Sequence, residues 1–266
     1  MSELCETFRK EAGVVWHRMR KSARLGLSLS EETLTECALY NIALAHQGSE
    51  IVIDLATKPA EAKHGADWEW WLIRNGQAIC FRVQAKRLFA NGRYSSLLKA
   101  APNQYQQLDK LISTSANEGC EPLYCFYNFN HSQVMLPKAA PCKHTYRGPS
   151  FWGCTLAFPD QVKAAQSDQF TKLRPLMHPW HTLVCQLAKG DNLVNSAKRF
   201  VAQRGQRQAR VFDKLPSRVT RLLELGDQGR APKSENRGYL DFSYWGEPGD
   251  DSANLAGLVA FRDLRG

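Results

Sequence analysis

Between residues 65 and 88 the chain reads GADWEWWLIRNGQAICFRVQAKRL, with Asn75-Gly76 flanked on both sides by apolar runs. That dipeptide constrains the fold more than any other feature of the sequence. A two-residue type I′ turn needs positive φ at both central positions, which Asn and Gly tolerate at little cost. With those two as the turn, Arg74 pairs with Gln77 and the rest of the register follows. Leu72 then faces Ile79, Trp70 faces Phe81 and Trp68 faces Val83. Side chains alternate along a strand, so these six share one apolar face that must be buried. The other face sets Trp71 against Cys80, Glu69 against Arg82 and Asp67 against Gln84, with Lys86 one pleat beyond Gln84. A slip of one residue would mix the two sets. The stretch thus predicts one hairpin in one register, with Glu69–Arg82 as a cross-strand ion pair.

The flanking segments place this hairpin in an α/β fold. Leu4, Phe8, Val15 and Met19 recur at near-helical intervals and predict a helix over 3–22. Ser30 precedes EETLTECALYNIALAH as an N-cap, with acids in the first turn. IVIDLATK (51–58) is a β-branched strand, 95–118 is a helix interrupted at Pro102, and EPLYCFYNF (121–129) is a further strand. From residue 30 the order is α-β-β-β-α-β, an α/β sandwich with a mixed sheet. In the second half FWGCTLAF, GYLDFSYW and AGLVAF are predicted strands.

The formal charge of +9 favours a polyanionic partner without demanding one. Residues 189–237 hold 12 Lys/Arg against 5 Asp/Glu, either as a solvated helical face or as a nucleic-acid contact. The N-terminus lacks the apolar run of a signal peptide, and no segment approaches the ~18 apolar residues of a membrane span. These features give the expectation of a cytoplasmic protein with no membrane partner and all eight cysteines reduced. Two sets, Cys142/His144/Cys154 and His178/His181/Cys185, have no recognised zinc-finger spacing and read as buried thiols and satisfied histidines.

Asp67, Gln84 and Lys86 carry the chemistry. Opposed β-carbons lie about 4.5–5.5 Å apart, so a carboxylate and an amide oxygen facing each other can share a small hard cation. Mg²⁺ (or Mn²⁺) suits such oxygen ligands, and the carbonyl of Ala85 is a third donor between them. Lys86 then stands where it can orient water or offset charge on a phosphate. A solvated face of cross-strand ion pairs explains Glu69–Arg82 well. It explains Asp67, Gln84 and Lys86 less well, because Asp and Gln are poor strand formers.

An Asp on one strand followed by Gln-x-Lys on the next, after an acid-bearing helix, resembles the PD-(D/E)xK nuclease superfamily. VQAKRL is similar to the Gln-x-Lys form of Mrr-type restriction endonucleases, and EETLT, GADWEWW, QAKRL and PLYCFYN look like an uncharacterised bacterial family related to them. The resemblance covers roughly residues 28–130 and implies a three-layer restriction-endonuclease-like core, set at 28–135; it does not reach 136–266, which are expected to be a C-terminal α/β extension of the same domain. It also implies a metal-dependent DNA endonuclease acting in restriction or anti-phage defence. Asp67 and Gln84 would be the metal-site residues, Lys86 the catalytic lysine, and Glu32, ahead of Glu36, the helix carboxylate. Gln104 or Gln107 would touch substrate. Two departures are the absence of a proline before Asp67 and Gln84 in place of a glutamate, which leaves room for Glu32 or Glu69 to contribute. The alternatives are a catalytically inactive nucleic-acid-binding protein, or an interaction module whose exposed Trp71, Tyr94 and Tyr105 dock a partner protein or a second copy.

Overall fold

The structure is a computed structural model that describes residues 3–57, 66–95, 97, 106–129, 142, 148–187, 190–230 and 257–265. Helices α1 (Glu3–Arg24) and α2 (Glu31–Ala45) lead into strand β1 (Ile51–Thr57). The hairpin follows as β2 (Trp68–Arg74) and β3 (Gln77–Arg87), then α3 (Gln106–Glu118) and β4 (Glu121–Tyr127). Short elements β5 (Cys154–Ala157), α4 (Pro159–Ala165), α5 (Phe170–Leu173) and β6 (His178–Pro179) come next. Helices α6 (Leu193–Phe200) and α7 (Ser217–Arg230) precede β7 (Gly257–Asp263).

The hairpin register is the one dictated by its turn. Trp68 pairs with Val83, Glu69 with Arg82, Trp70 with Phe81, Trp71 with Cys80 and Arg74 with Gln77. Asn75 and Gly76 have φ of 48° and 76°, the left-handed pair a type I′ turn requires. The α-β-β-β-α-β order holds as α2-β1-β2-β3-α3-β4. Ser30 caps α2, its hydroxyl accepting from the Thr33 N–H at 3.1 Å.

The seven strands form one mixed sheet in the order β1-β7-β2-β3-β4-β5-β6. β2–β7 and β3–β4 are parallel, and β1–β7, β2–β3, β4–β5 and β5–β6 are antiparallel. Residues 257–263, which the sequence assigns to the extension, thus lie between β1 and β2, one strand in from the edge of the sheet. Gly257 is required there, because a β-carbon would run into the Trp68 ring beside it.

Helices cover both faces, giving three layers. On one face Leu4, Phe8 and Val15 of α1, Leu34 and Ile42 of α2, and Val194 and Phe200 of α6 bury Trp68, Trp70, Leu72, Ile79, Phe81 and Val83. On the other, Leu108 and Leu111 of α3 and Val162 of α4 pack over Tyr124 and Phe126. Val219 and Leu222 of α7 cover Trp71, Ile73 and Cys80.

Three expectations change. Trp71 and Tyr94, read as exposed docking aromatics, are both fully buried, because α7 covers the first and the second stacks on Phe126. Phe151 and Trp152 belong to a 3₁₀ turn (149–153), and the strand starts only at Cys154. Cys80 and Cys120 form a disulfide, so these two thiols are not reduced. The parallel β3–β4 register explains it: Phe81 pairs with Glu121, so the residues before them lie side by side with Cα atoms 4.7 Å apart. Lys58, Gln104, Tyr105, His144 and GYLDFSYW (238–245) lie outside the described residues. Among the described residues no helix is long and apolar enough to cross a membrane.

Candidate metal centre

Asp67 stands at the mouth of the hairpin, one residue before β2. Its backbone is held from both sides, with its N–H donating to the Val83 carbonyl at 2.9 Å and its carbonyl accepting from the Gly257 N–H at 3.1 Å. The carboxylate Oδ2 accepts the Ala85 N–H at 2.7 Å, so it is the N–H of Ala85 that meets Asp67. No hydrogen bond among the described residues reaches Oδ1.

Gln84 is 1% exposed, and among the described residues neither its Oε1 nor its Nε2 has a hydrogen-bond partner. Leaving a buried amide unsatisfied costs about 1–3 kcal/mol per group. Lys86, on the same face of β3, is 8% exposed and donates to Gln107 Oε1 of α3 at 3.3 Å. The parallel register places Tyr124 of β4 beside Gln84.

The first turn of α2 faces this cluster. Glu31 accepts the Arg87 N–H at 3.4 Å and lies 3.8 Å from the Arg87 guanidinium. Asp67 keeps a partly exposed edge, yet its surroundings are deep enough for burial to push its carboxyl up to about 6. The Ala85 N–H and the Lys86 ammonium oppose that shift, and the negative charges of Glu32 and Glu31 add to it. Burial and the nearby charges of Asp67 and Asp109 likewise push the Tyr124 phenol up.

Glu69 is fully engaged elsewhere. With 0% exposure it accepts from Arg82 Nε at 3.0 Å and from Trp71 Nε1 at 3.1 Å. Arg218 of α7 adds two more bonds, from Nε at 3.1 Å and Nη2 at 3.3 Å. The Glu69–Arg82 pair is therefore real but buried, and a third group from 149 residues away completes it. Glu69 has no lone pairs to spare for a cation. Glu36 is exposed and does not number among the charges acting on Asp67, whereas Glu32 does.

Asp67, Gln84, Lys86 and the Glu32 turn therefore come together, and Gln107 joins them. Glu31 and Tyr124 escaped the sequence reading. Glu31 was hidden by its stronger-looking neighbour, and Tyr124 becomes visible only once the β3–β4 register is known.

These residues fit a small divalent cation. An orphaned amide, a carboxylate with one oxygen unbonded, and helix carboxylates close enough to raise its pKa are together a set of hard oxygen donors short of positive charge. The basic segment contributes less open charge than its composition suggests. Arg199 pairs with Asp191, Arg207 with Glu121 and Asp160, and Arg218 with Glu69 and Glu118.

The fold and this cluster define a three-layer α/β protein with a polar side-chain cluster at the open end of one hairpin. The chain belongs to a family of unknown function (DUF6615), whose model matches residues 4–243. No curated protein and no solved structure matches it.

Proposed function

We propose that the protein is a metal-dependent phosphodiesterase that cleaves DNA, in a restriction or anti-phage role. The observation that carries this reading is the buried Gln84 amide without partners, set between Asp67 and Lys86 on one face of the hairpin. Asp67 and Gln84 would hold Mg²⁺ or Mn²⁺, with Glu32 contributing from α2. Such an ion supplies Lewis acidity to the scissile phosphate and steadies the departing oxygen.

The chain's own groups do the rest. Gln107 steadies the Lys86 ammonium, which orients the attacking water and offsets charge building on the phosphate. Water adds across the P–O bond, leaving a phosphomonoester and a free hydroxyl. Exposed cations such as Lys214 and Arg210 contribute sequence-tolerant phosphate affinity that salt weakens.

One observation favours a second reading, a nucleic-acid-binding protein without hydrolysis. Gln84 is uncharged, so the site carries one carboxylate fewer than Asp67 with a facing glutamate would give. Supercoiled plasmid incubated with Mg²⁺, with Mn²⁺ and with EDTA, beside a Lys86→Ala control, separates the two. Nicking that requires metal and Lys86 supports the enzyme. DNA retention that persists in EDTA without nicking supports the binder, and cleavage unchanged in folded Lys86→Ala removes the mechanism.

A further inference from the structure

Cys5, Cys142 and Cys185 are far apart in sequence, and no finger-like spacing links them. The fold nevertheless brings their sulfurs together. Cys142 Sγ lies 3.7 Å from Cys5 Sγ and 3.3 Å from Cys185 Sγ, across separations of 137 and 43 residues. All three sulfurs fall within 4.8 Å of one another. None is in a disulfide.

Three explanations compete for such a cluster. A covalent pair would need sulfurs about 2.05 Å apart, well inside these separations. Simple burial of thiols as small apolar groups predicts no reason for three to converge from three separate segments. Tetrahedral zinc with Zn–S bonds of about 2.3 Å puts neighbouring sulfurs about 3.8 Å apart, which is close to what is seen. We propose that Cys5, Cys142 and Cys185 bind a structural zinc ion.

The surroundings suit it. Cys5 and Cys185 belong to the principal core and Cys142, partly exposed, packs against it, so two of the three sulfurs are buried. Arg199, itself paired with Asp191, ties down the loop that carries Cys185. Its Nη2 donates to the Cys185 carbonyl at 2.8 Å, and Ser196 Oγ donates to that carbonyl at 3.2 Å. The loop is thereby held with the Cys185 thiol facing α1. A second tether lies close by, where Trp180 Nε1 donates to the Phe8 carbonyl at 2.6 Å. The ion would clamp the first turn of α1 to two segments of the second half of the chain. Among the described residues no fourth Cys, His, Asp or Glu joins the group. Binding would release the thiol protons, making affinity fall as pH drops.

This site is independent of the Asp67 cluster, and its test keeps the two apart. The full chain is purified without chelator and its metal measured by elemental analysis. The proposal expects about one zinc ion per folded chain, retained in Asp67→Asn, Cys37→Ser and Cys154→Ser but lost from Cys5→Ser and Cys185→Ser. Because the last two variants can fail to fold, a second measurement uses the unmodified protein. Exchange of zinc for Co²⁺ should produce a thiolate-to-cobalt charge-transfer band, and titration with a mercurial should discharge the zinc as thiols are consumed. Folded protein that holds under about a tenth of an equivalent of zinc and gives no cobalt–thiolate band overturns the assignment. So does zinc that disappears in Asp67→Asn.

Discussion

Asp67 and Glu69 lie two residues apart on one face of one hairpin, and both are surrounded by protein. Their circumstances are opposite. Glu69 receives four hydrogen bonds from Arg82, Arg218 and Trp71. Among the described residues the Asp67 carboxylate receives one, from a backbone N–H, and faces an amide without a partner. A buried charge surrounded by donors is architecture, and removing one partner leaves the others stranded. A buried charge short of donors is a place where something else is expected to bind. One pleat along the strand is enough to divide a fully bonded carboxylate from one short of donors.

The largest effect should come from the satisfied end. Glu69→Ala would leave Arg82 and Arg218 buried without their anion and cost about 4 kcal/mol, measured by urea unfolding. A loss under about 1 kcal/mol would mean that the network is solvated after all.

Next comes Lys86→Ala, expected to lower metal-dependent cleavage about 10³-fold while leaving the unfolding midpoint nearly unchanged. If stability fell as far as it does in Glu69→Ala, the two ends of the hairpin would not differ in the way argued above.

Asp67 gives a pH test with a definite sign. Its folded pKa of about 6 lies above the ordinary 3.8, so the native state holds the proton more tightly than the unfolded chain. The contribution of this carboxyl to the stability of the metal-free protein should therefore be full below about pH 4 and be lost, by about 2 kcal/mol, as pH rises through 6, after allowance for partial exposure. Asp67→Asn should lack that decline, and Mg²⁺ should offset it in the natural protein only once the carboxyl has ionised. Identical pH slopes for the two proteins would refute the raised pKa.

Gln84→Glu sharpens the contrast further. A second carboxylate should tighten divalent metal binding about tenfold by calorimetry and destabilise the metal-free protein through like-charge repulsion. The smallest effect expected is from Gly76→Ala, about 1 kcal/mol, because a β-carbon at φ 76° is strained while nothing else crowds the site.

What was legible in the sequence follows the range of the interactions. The turn, the strand alternation and the Ser30 cap are set by residues within a few positions of each other, and the hairpin register and the α-β-β-β-α-β order could be read from them. Asp67, Gln84 and Lys86 share a face for the same local reason. Long-range pairings carry no such signature. Nothing near Glu69 announces Arg218, nothing near Cys80 announces Cys120, and three cysteines at 5, 142 and 185 have no spacing to notice. Trp71 looked exposed because its face carried charges. Those charges neutralise one another under α7, so the face is buried despite its composition.

The placement of β7 has a consequence for the order of events during synthesis. The Gly257 N–H holds the Asp67 carbonyl, and β7 separates β1 from β2. Residues 257–263 leave the ribosome well over a hundred residues after the hairpin they secure. Until they arrive, β2 has an open edge and Asp67 has lost one of its two backbone tethers. A chain halted before that point would contain Asp67, Gln84 and Lys86 without the strand that fixes them. The geometry of the Asp67 end of the hairpin is thereby tied to the synthesis of residues 257–263.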